Sequence, residues 1–236
     1  MKYKSFFLLI LTMSEFSKEI NKFHSLVVKQ LDLNFGLDDN EIPQLKQGVL
    51  LALESCEYCF SRINLKYYKD KEGNPIINIY NSSQYAIFLY YLSNLMFRKS
   101  LCSSLLLDKI FYLNKMLNSI DLYYEVKLPK VFHVGHTLGS IIGRAKIGNN
   151  FSFNQNCTVG GNKDIYPILS DNVLMKAGST IIGKCHVGSF VILAANSFIK
   201  DTDVPNDTIV VGMYPNHKFL PLSSDYRNIY FGIFEP

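Results

Sequence analysis

Two histidines three positions apart, His133 and His136, lie in the segment Phe132-His133-Val134-Gly135-His136-Thr137-Leu138-Gly139. An imidazole titrates near neutrality, which suits it to moving a proton at working pH. A second polar, glycine-bearing stretch follows, Gly160-Gly161-Asn162-Lys163-Asp164-Ile165-Tyr166-Pro167. Small and polar residues in a loop beside a histidine-bearing segment are what a cleft between neighbouring subunits needs. No His, Asp and Glu set has metal-ligand spacing, so no metal is expected. Cys56 and Cys59 form a lone C-x-x-C within a helical pattern and are expected as two core thiols. His24, His186 and His217 have no recognisable partner and are expected at the solvated surface, as is a rim position for His133.

The elements that must position these residues follow a six-residue rhythm. Leu169, Met175, Ile181, Val187, Leu193 and Ile199 are successive apolar residues in one register, in a chain that is 48% hydrophobic. Chance produces such a run about one time in eighty. Upstream the beat reads Leu122, Leu128 and Val134, slips one residue to Ile141, and resumes as Ile147, Phe153 and Val159. Four positions after each beat stands a residue that is mostly small or apolar, including Val126, Phe132, Leu138, Phe151, Cys157, Val173, Ser179, Cys185, Val191 and Ser197. Helices repeat near 3.6 and half-buried strands near 2, so neither fits. A hexapeptide β-helix does, because three six-residue rungs make one triangular coil with each beat pointing inward. Gly148, Gly178, Gly183 and Asn149-Asn150 fall between beats, where coil corners turn. From Val159 to Leu169 the spacing is ten residues, four more than one rung, so a loop leaves the prism there.

Residues 1–120 lack the beat and read as a helical N-terminal domain. Helices are expected from Ser14 to about Asn34, after a cap at Asp39 or Asn40, from a cap at Ser82 or Ser83, and over Leu105–Asn118. The stretch Tyr85–Phe97 is apolar nearly all round, which predicts a helix buried on more than one side. Lys69–Pro75 is a surface turn. The helical domain is expected to stack on the first coil and close its open edge. Residues 121–215 form the β-helix, and residues 216–236 an aromatic tail that either caps the last coil or joins an interface. Met1–Met13 resembles a signal peptide only superficially, so either Met13 is the start or the segment is a short apolar extension; no transmembrane segment is expected. A charge of +4 with no basic stripe argues against nucleic acid and for a phosphate-bearing small molecule. Five cysteines without a disulfide framework point to the cytoplasm.

The strings His136-Thr137-Leu138-Gly139-Ser140-Ile141-Ile142-Gly143 and Gln155-Asn156-Cys157-Thr158-Val159-Gly160-Gly161 resemble the serine acetyltransferase branch of the hexapeptide-repeat acyltransferases. Asp121, fifteen residues before the histidine, and the helical domain in front agree. The resemblance implies an α+β chain, a helical N-terminal domain followed by a left-handed parallel β-helix. It implies a homotrimer or dimer of trimers with acetyl-CoA bound in the groove between prisms. His136 matches the family's general base and Asp121 the carboxylate that orients it. Gly160, Gly161, Ala177 and Ala195 match positions along the pantetheine arm; Lys218, shortly after Pro215, is expected to meet the 3′-phosphate or pyrophosphate.

Departures from the family concern the acceptor. The family's loop carries Arg-His-Pro, where this chain has Ile165-Tyr166-Pro167, and the aspartate before the catalytic histidine is Gly135. A zwitterionic amino acid needs a cation and an anion, and a site lacking both leaves charges unpaired. With Tyr166, Gln155 and Gly135 as acceptor-site residues, the expectation is O-acetylation of a sugar hydroxyl in surface-polysaccharide biosynthesis, on a small-molecule or glycan acceptor. The alternatives are serine O-acetylation, N-acetylation of an amino sugar, and a catalytically idle trimeric binding or assembly module.

Overall fold

The computed structural model describes residues 2–235, with side chains described from residue 16 onward. Four helices come first, α1 (Lys2–Phe35), α2 (Glu41–Phe60), α3 (Ser82–Arg98) and α4 (Ser104–Asn118). The expected helix start at Ser14 is corrected: α1 already begins at Lys2, and Ser14 lies inside it. The expectations for the side chains of Met1–Met13 lie outside the described residues. Asn40 precedes α2 without a side-chain cap. The cap of α3 is Asn81, whose side chain accepts from the Ser83 and Gln84 amides, one residue before Ser82 and two before Ser83, the caps expected. Asn81 is extended (φ −92°), the conformation a capping side chain needs to fold back on the next turn. Helix α3 is buried around most of its circumference, as its composition predicts. Among the described residues, no helix is long and apolar enough to cross a membrane.

From Ile120 onward the chain winds as a parallel β-helix with three sheets. The first sheet stacks Ile120–Asp121, Ser140–Ile142, Thr158–Gly160, Thr180–Ile182 and Phe198–Lys200. The second stacks Lys146–Ile147, Ile168–Leu169 and His186–Val187. The third stacks Phe132–Val134, Phe151–Phe153, Val173–Met175, Val191–Leu193 and Thr208–Val211. Leu169, Met175, Ile181, Val187, Leu193 and Ile199 are all buried in the prism. Two upstream positions are corrected. Ile141 is 48% exposed and Ile142 is fully buried opposite Val159, so the beat slips by two residues rather than one. Leu138 is likewise outward, and Ser140 takes the inward place, its hydroxyl donating to the Asn154 carbonyl and accepting the Cys157 amide.

The helical domain and the first coils share one core. Phe132 packs edge-on against Tyr90 and Tyr91. The Tyr90 hydroxyl donates to the Val126 carbonyl and accepts the Leu128 amide, and Asn94 donates to the Tyr124 carbonyl. The irregular segment 122–131 thus has its polar backbone satisfied by α3 side chains, which is how a buried non-strand connection is tolerated.

The tail folds back. Lys218–Pro221 pairs antiparallel with Thr208–Val211 and closes the last edge. Helix α5 (Ser224–Phe231) then packs Phe231 with Leu222 against Leu174 and Ile192, outward-facing residues of the third sheet. Its end reaches the helical domain, where the Asn64 amide donates to the Ile233 carbonyl at 2.7 Å and Lys69 pairs with Glu235.

Candidate functional site

The corner joining the third sheet to the first is a stack of tight turns. Gly139, Asn156, Gly178 and Asn196 all have positive φ (70°, 56°, 71° and 58°), the left-handed conformation required at the third residue of a type II turn. Between them, Gln155, Ala177 and Ala195 occupy equivalent places, since the Gly178 amide donates to the Gln155 carbonyl and the Asn196 amide to the Ala177 carbonyl. In the first coil, Asn156 donates to the Leu138 carbonyl, so His136-Thr137-Leu138 stands where the next coil has Gln155 alone. These two extra residues are the cause of the two-residue slip. They push His136 out into solvent while Thr137 stays buried, and the Gly139 amide ties the bulge to the Ser119 carbonyl at 2.8 Å.

Below the bulge, the backbone N–H groups of Gln155, Ala177 and Ala195 make no hydrogen bond among the described residues. They recur at coil spacing, about 4.8 Å apart. With alanine side chains on two of the three turns, the column is an open row of donors suited to the amide carbonyls of an extended pantetheine arm. Lys218 pairs with Val211 at the foot of the same column.

Asp121 faces outward from the first sheet beside Ile141, on the strand next to the bulge. No hydrogen bond joins it to His136 among the described residues; its carboxylate is instead held by Lys115 at 2.8 Å. Gly160 ends its strand on this same sheet. Gly161 begins the expected loop, which is a two-residue hairpin: Asn162 and Ile165 exchange both backbone bonds across Lys163 and Asp164, whose φ angles are 51° and 59°. A Cβ on Gly161 would lie 2.7 Å from the Tyr166 ring, so the glycine is required by Tyr166 packing whatever else it contacts. Tyr166 itself is 37% exposed. The first sheet therefore has His136, Gln155, Ala177 and Ala195 along one edge and Gly161, Ile165 and Tyr166 along the other.

Gly135 has a local cause as well, since a side chain there would meet the Asn154 amide oxygen at 2.1 Å of a Cβ. His133 is corrected from a rim position. It is half-buried, its Nδ1 bonds the Ser152 hydroxyl at 3.0 Å, and its ring packs edge-on against Tyr68. Burial first, then the charges of His136 and Lys176, push its pKa down to about 4. Between pH 6.5 and 4 the unfolded chain binds a proton there that the folded chain refuses. Stability contributed by the neutral ring is full above pH 6.5 and is lost as pH falls toward 4, at up to about 1.4 kcal/mol per pH unit. Denaturant melts at pH 7 and pH 5 should show this loss in the wild type and a flatter profile in His133→Gln. Two of the histidines expected at the solvated surface have partners, His24 bonding the Ile42 carbonyl and His186 bonding Asp203, whereas His217 is half-buried between Tyr214 and Phe219 with its Nδ1 unbonded among the described residues.

Sequence reasoning missed Lys176 and Asn154 at this corner, because their placement depends on which residue of each coil stacks under Gly135. The ladder bonds supply that register: Gly135 to the Phe153 carbonyl, Asn154 to Met175, Lys176 to Leu193.

No protein-family model matches the sequence. A serine acetyltransferase of Staphylococcus epidermidis is 32% identical over 131 residues, covering 51% of this chain and 61% of that protein. One from Staphylococcus aureus is 31% identical over 113 residues, covering 46% of this chain and 52% of its own length. The chain thus spans between half and two thirds of the curated relatives it matches. Among solved structures, a serine acetyltransferase of Neisseria gonorrhoeae superposes with a TM-score of 0.65 at 20% identity, covering 87% of this chain and 82% of that one. Its complex with serine gives 0.64 at 22% identity, with 82% of each covered. A serine acetyltransferase in complex with CoA gives 0.59 at 18%, covering 76% of this chain and 74% of that chain. These likenesses show the fold, a helical domain followed by a left-handed parallel β-helix of hexapeptide repeats.

Proposed function

We propose that this chain, similar in sequence and fold to serine acetyltransferases, transfers acetyl from acetyl-CoA directly to the hydroxyl of L-serine. One observation carries the reading: an exposed imidazole on a two-residue bulge stands at the head of a column of unengaged backbone amides. The thioester supplies an acetyl group already activated for attack. The chain's own task is to position the acceptor hydroxyl and move its proton. His136 takes that proton as the hydroxyl oxygen attacks, and returns it to the departing CoA sulfur, so no acyl-enzyme is required. Asp121 is the positioning residue, turning from Lys115 to the imidazole to set its tautomer and stabilise the imidazolium. Gln155, Ala177 and Ala195 offer amides to the pantetheine arm, with Lys218 at the phosphate end.

The missing arginine and histidine at Ile165 and Tyr166 favour a sugar hydroxyl; the relatives and the serine-bound neighbour favour serine, and the reading follows them. Polysaccharide biosynthesis has no support among the relatives. A cleft that joins both edges of the first sheet needs a second copy, since the His136 corner and the Tyr166 hairpin lie at opposite edges. Exposed Leu138, Ile141, Met213 and Tyr214 around this face support a trimer or dimer of trimers. Five free thiols suit the cytoplasm. The unengaged amides argue against an idle assembly module.

Release of CoA thiol from acetyl-CoA, measured with L-serine and with a panel of sugars and glycans, tests the reading. Turnover with serine is expected. Turnover confined to sugars overturns it in favour of the loop argument, and no turnover or CoA binding with any acceptor overturns the enzyme.

A further inference from the structure

Lys176 is the first residue of the turn that carries Ala177, and its carbonyl accepts the Ser179 amide. It is half-buried and forms no ion pair among the described residues. Its ammonium rests 4.4 Å from the centre of the Tyr230 ring, on the returning helix α5. A cation over a π face is relieved by only about 0.5–1 kcal/mol at exposed sites, and more when desolvated. Burial lowers the Lys176 pKa, as expected for an ammonium short of counter-charge. The ladder stacks Lys176 two coils below Gly135, the residue before His136, with Asn154 on the coil between. On the turn of the coil above, the Gln155 side-chain oxygen is buried with no hydrogen-bond partner among the described residues. An unpaired cation and an unpaired acceptor on consecutive turns below the His136 bulge form a complementary set for a ligand bearing an anion and an N–H donor.

We propose that Lys176 is a specificity-determining residue that binds the carboxylate of the acceptor, with the Gln155 oxygen receiving its amine. Tyr230 holds the ammonium at the edge of the site, so the C-terminal helix shapes acceptor selection as well as covering the third sheet. The inference rests on the acyltransferase reading above, and extends it by locating the acceptor's charge on a residue outside the loop at 165–167.

The test compares L-serine with L-serinamide, which keeps the hydroxyl and the amine and lacks the anion, in wild type, Lys176→Met and Lys176→Arg. A charge-assisted hydrogen bond predicts that the kcat/KM preference for serine over serinamide collapses about tenfold to a hundredfold in Lys176→Met, mainly through KM, and is restored in large part by Lys176→Arg. Equal losses on both acceptors, or a rise confined to the KM for acetyl-CoA, overturn the proposal and leave serine acetylation standing. Lys176-dependent turnover of another carboxylate-bearing acceptor, with none of serine, keeps Lys176 in this role and overturns serine as substrate. Wild-type turnover of uncharged acceptors alone overturns both.

Discussion

On the proposed reading, His136→Ala is expected to abolish most acetyl transfer, lowering kcat by about a hundredfold to ten-thousandfold, the range for loss of a positioned general base. The drop is expected on kcat, since a general base acts once the hydroxyl begins to bond to the acyl carbon; the KM for acetyl-CoA is expected to change little, because the amides proposed to meet the pantetheine arm, those of Gln155, Ala177 and Ala195, do not depend on that side chain. Stability is expected to stay within about 0.5 kcal/mol of wild type. The His136 side chain is exposed, and the bulge is held by Thr137 inside and by the Gly139 bond to Ser119. Thiol-release kinetics beside a thermal melt separate the two effects. A variant that keeps full turnover removes His136 from the chemistry, and a variant that loses turnover through unfolding shows it in the melt.

The largest effect on stability is expected from Phe132→Ala, at about 3–5 kcal/mol. Phe132 is fully buried where the helical domain meets the first coil, edge-on to both Tyr90 and Tyr91, and its carbonyl accepts the Cys59 thiol. Removing the ring leaves a cavity between α3 and the coil that neither element can fill, because the turns on one side and the helix on the other are rigid. A loss below about 1 kcal/mol in denaturant melts means that the two parts do not share a core.

What the sequence by itself determined was the part governed by short-range pattern. The inward residues Leu169 to Ile199 and the loop between Val159 and Leu169 follow from spacing alone, since each rung places its own beat residue without reference to distant chain. The buried helix α3 is legible for a similar reason, its apolar residues covering every side. The strings around His136 and Gly160 pointed to the acyltransferase fold, and Ala177 and Ala195 do fall in one column with Gln155.

Tertiary structure decided whatever depends on register between coils or on contacts across the chain. Ile141 and Ile142 are both isoleucine in both readings, so composition cannot choose which points inward; the ladder from Ile142 to Val159 chooses. The same register stacks Lys176 in the column that starts at Gly135 and sets His133 against Ser152, while packing of the helical domain brings Tyr68 to His133 and Lys115 to Asp121. The return of the tail over Leu174 and Ile192, ending on the helical domain, left no periodic trace in residues 216–236, because a strap is specified by the surface it covers. Local spacing dictates which residues a β-helix can bury, and long-range stacking dictates which of the remaining ones meet.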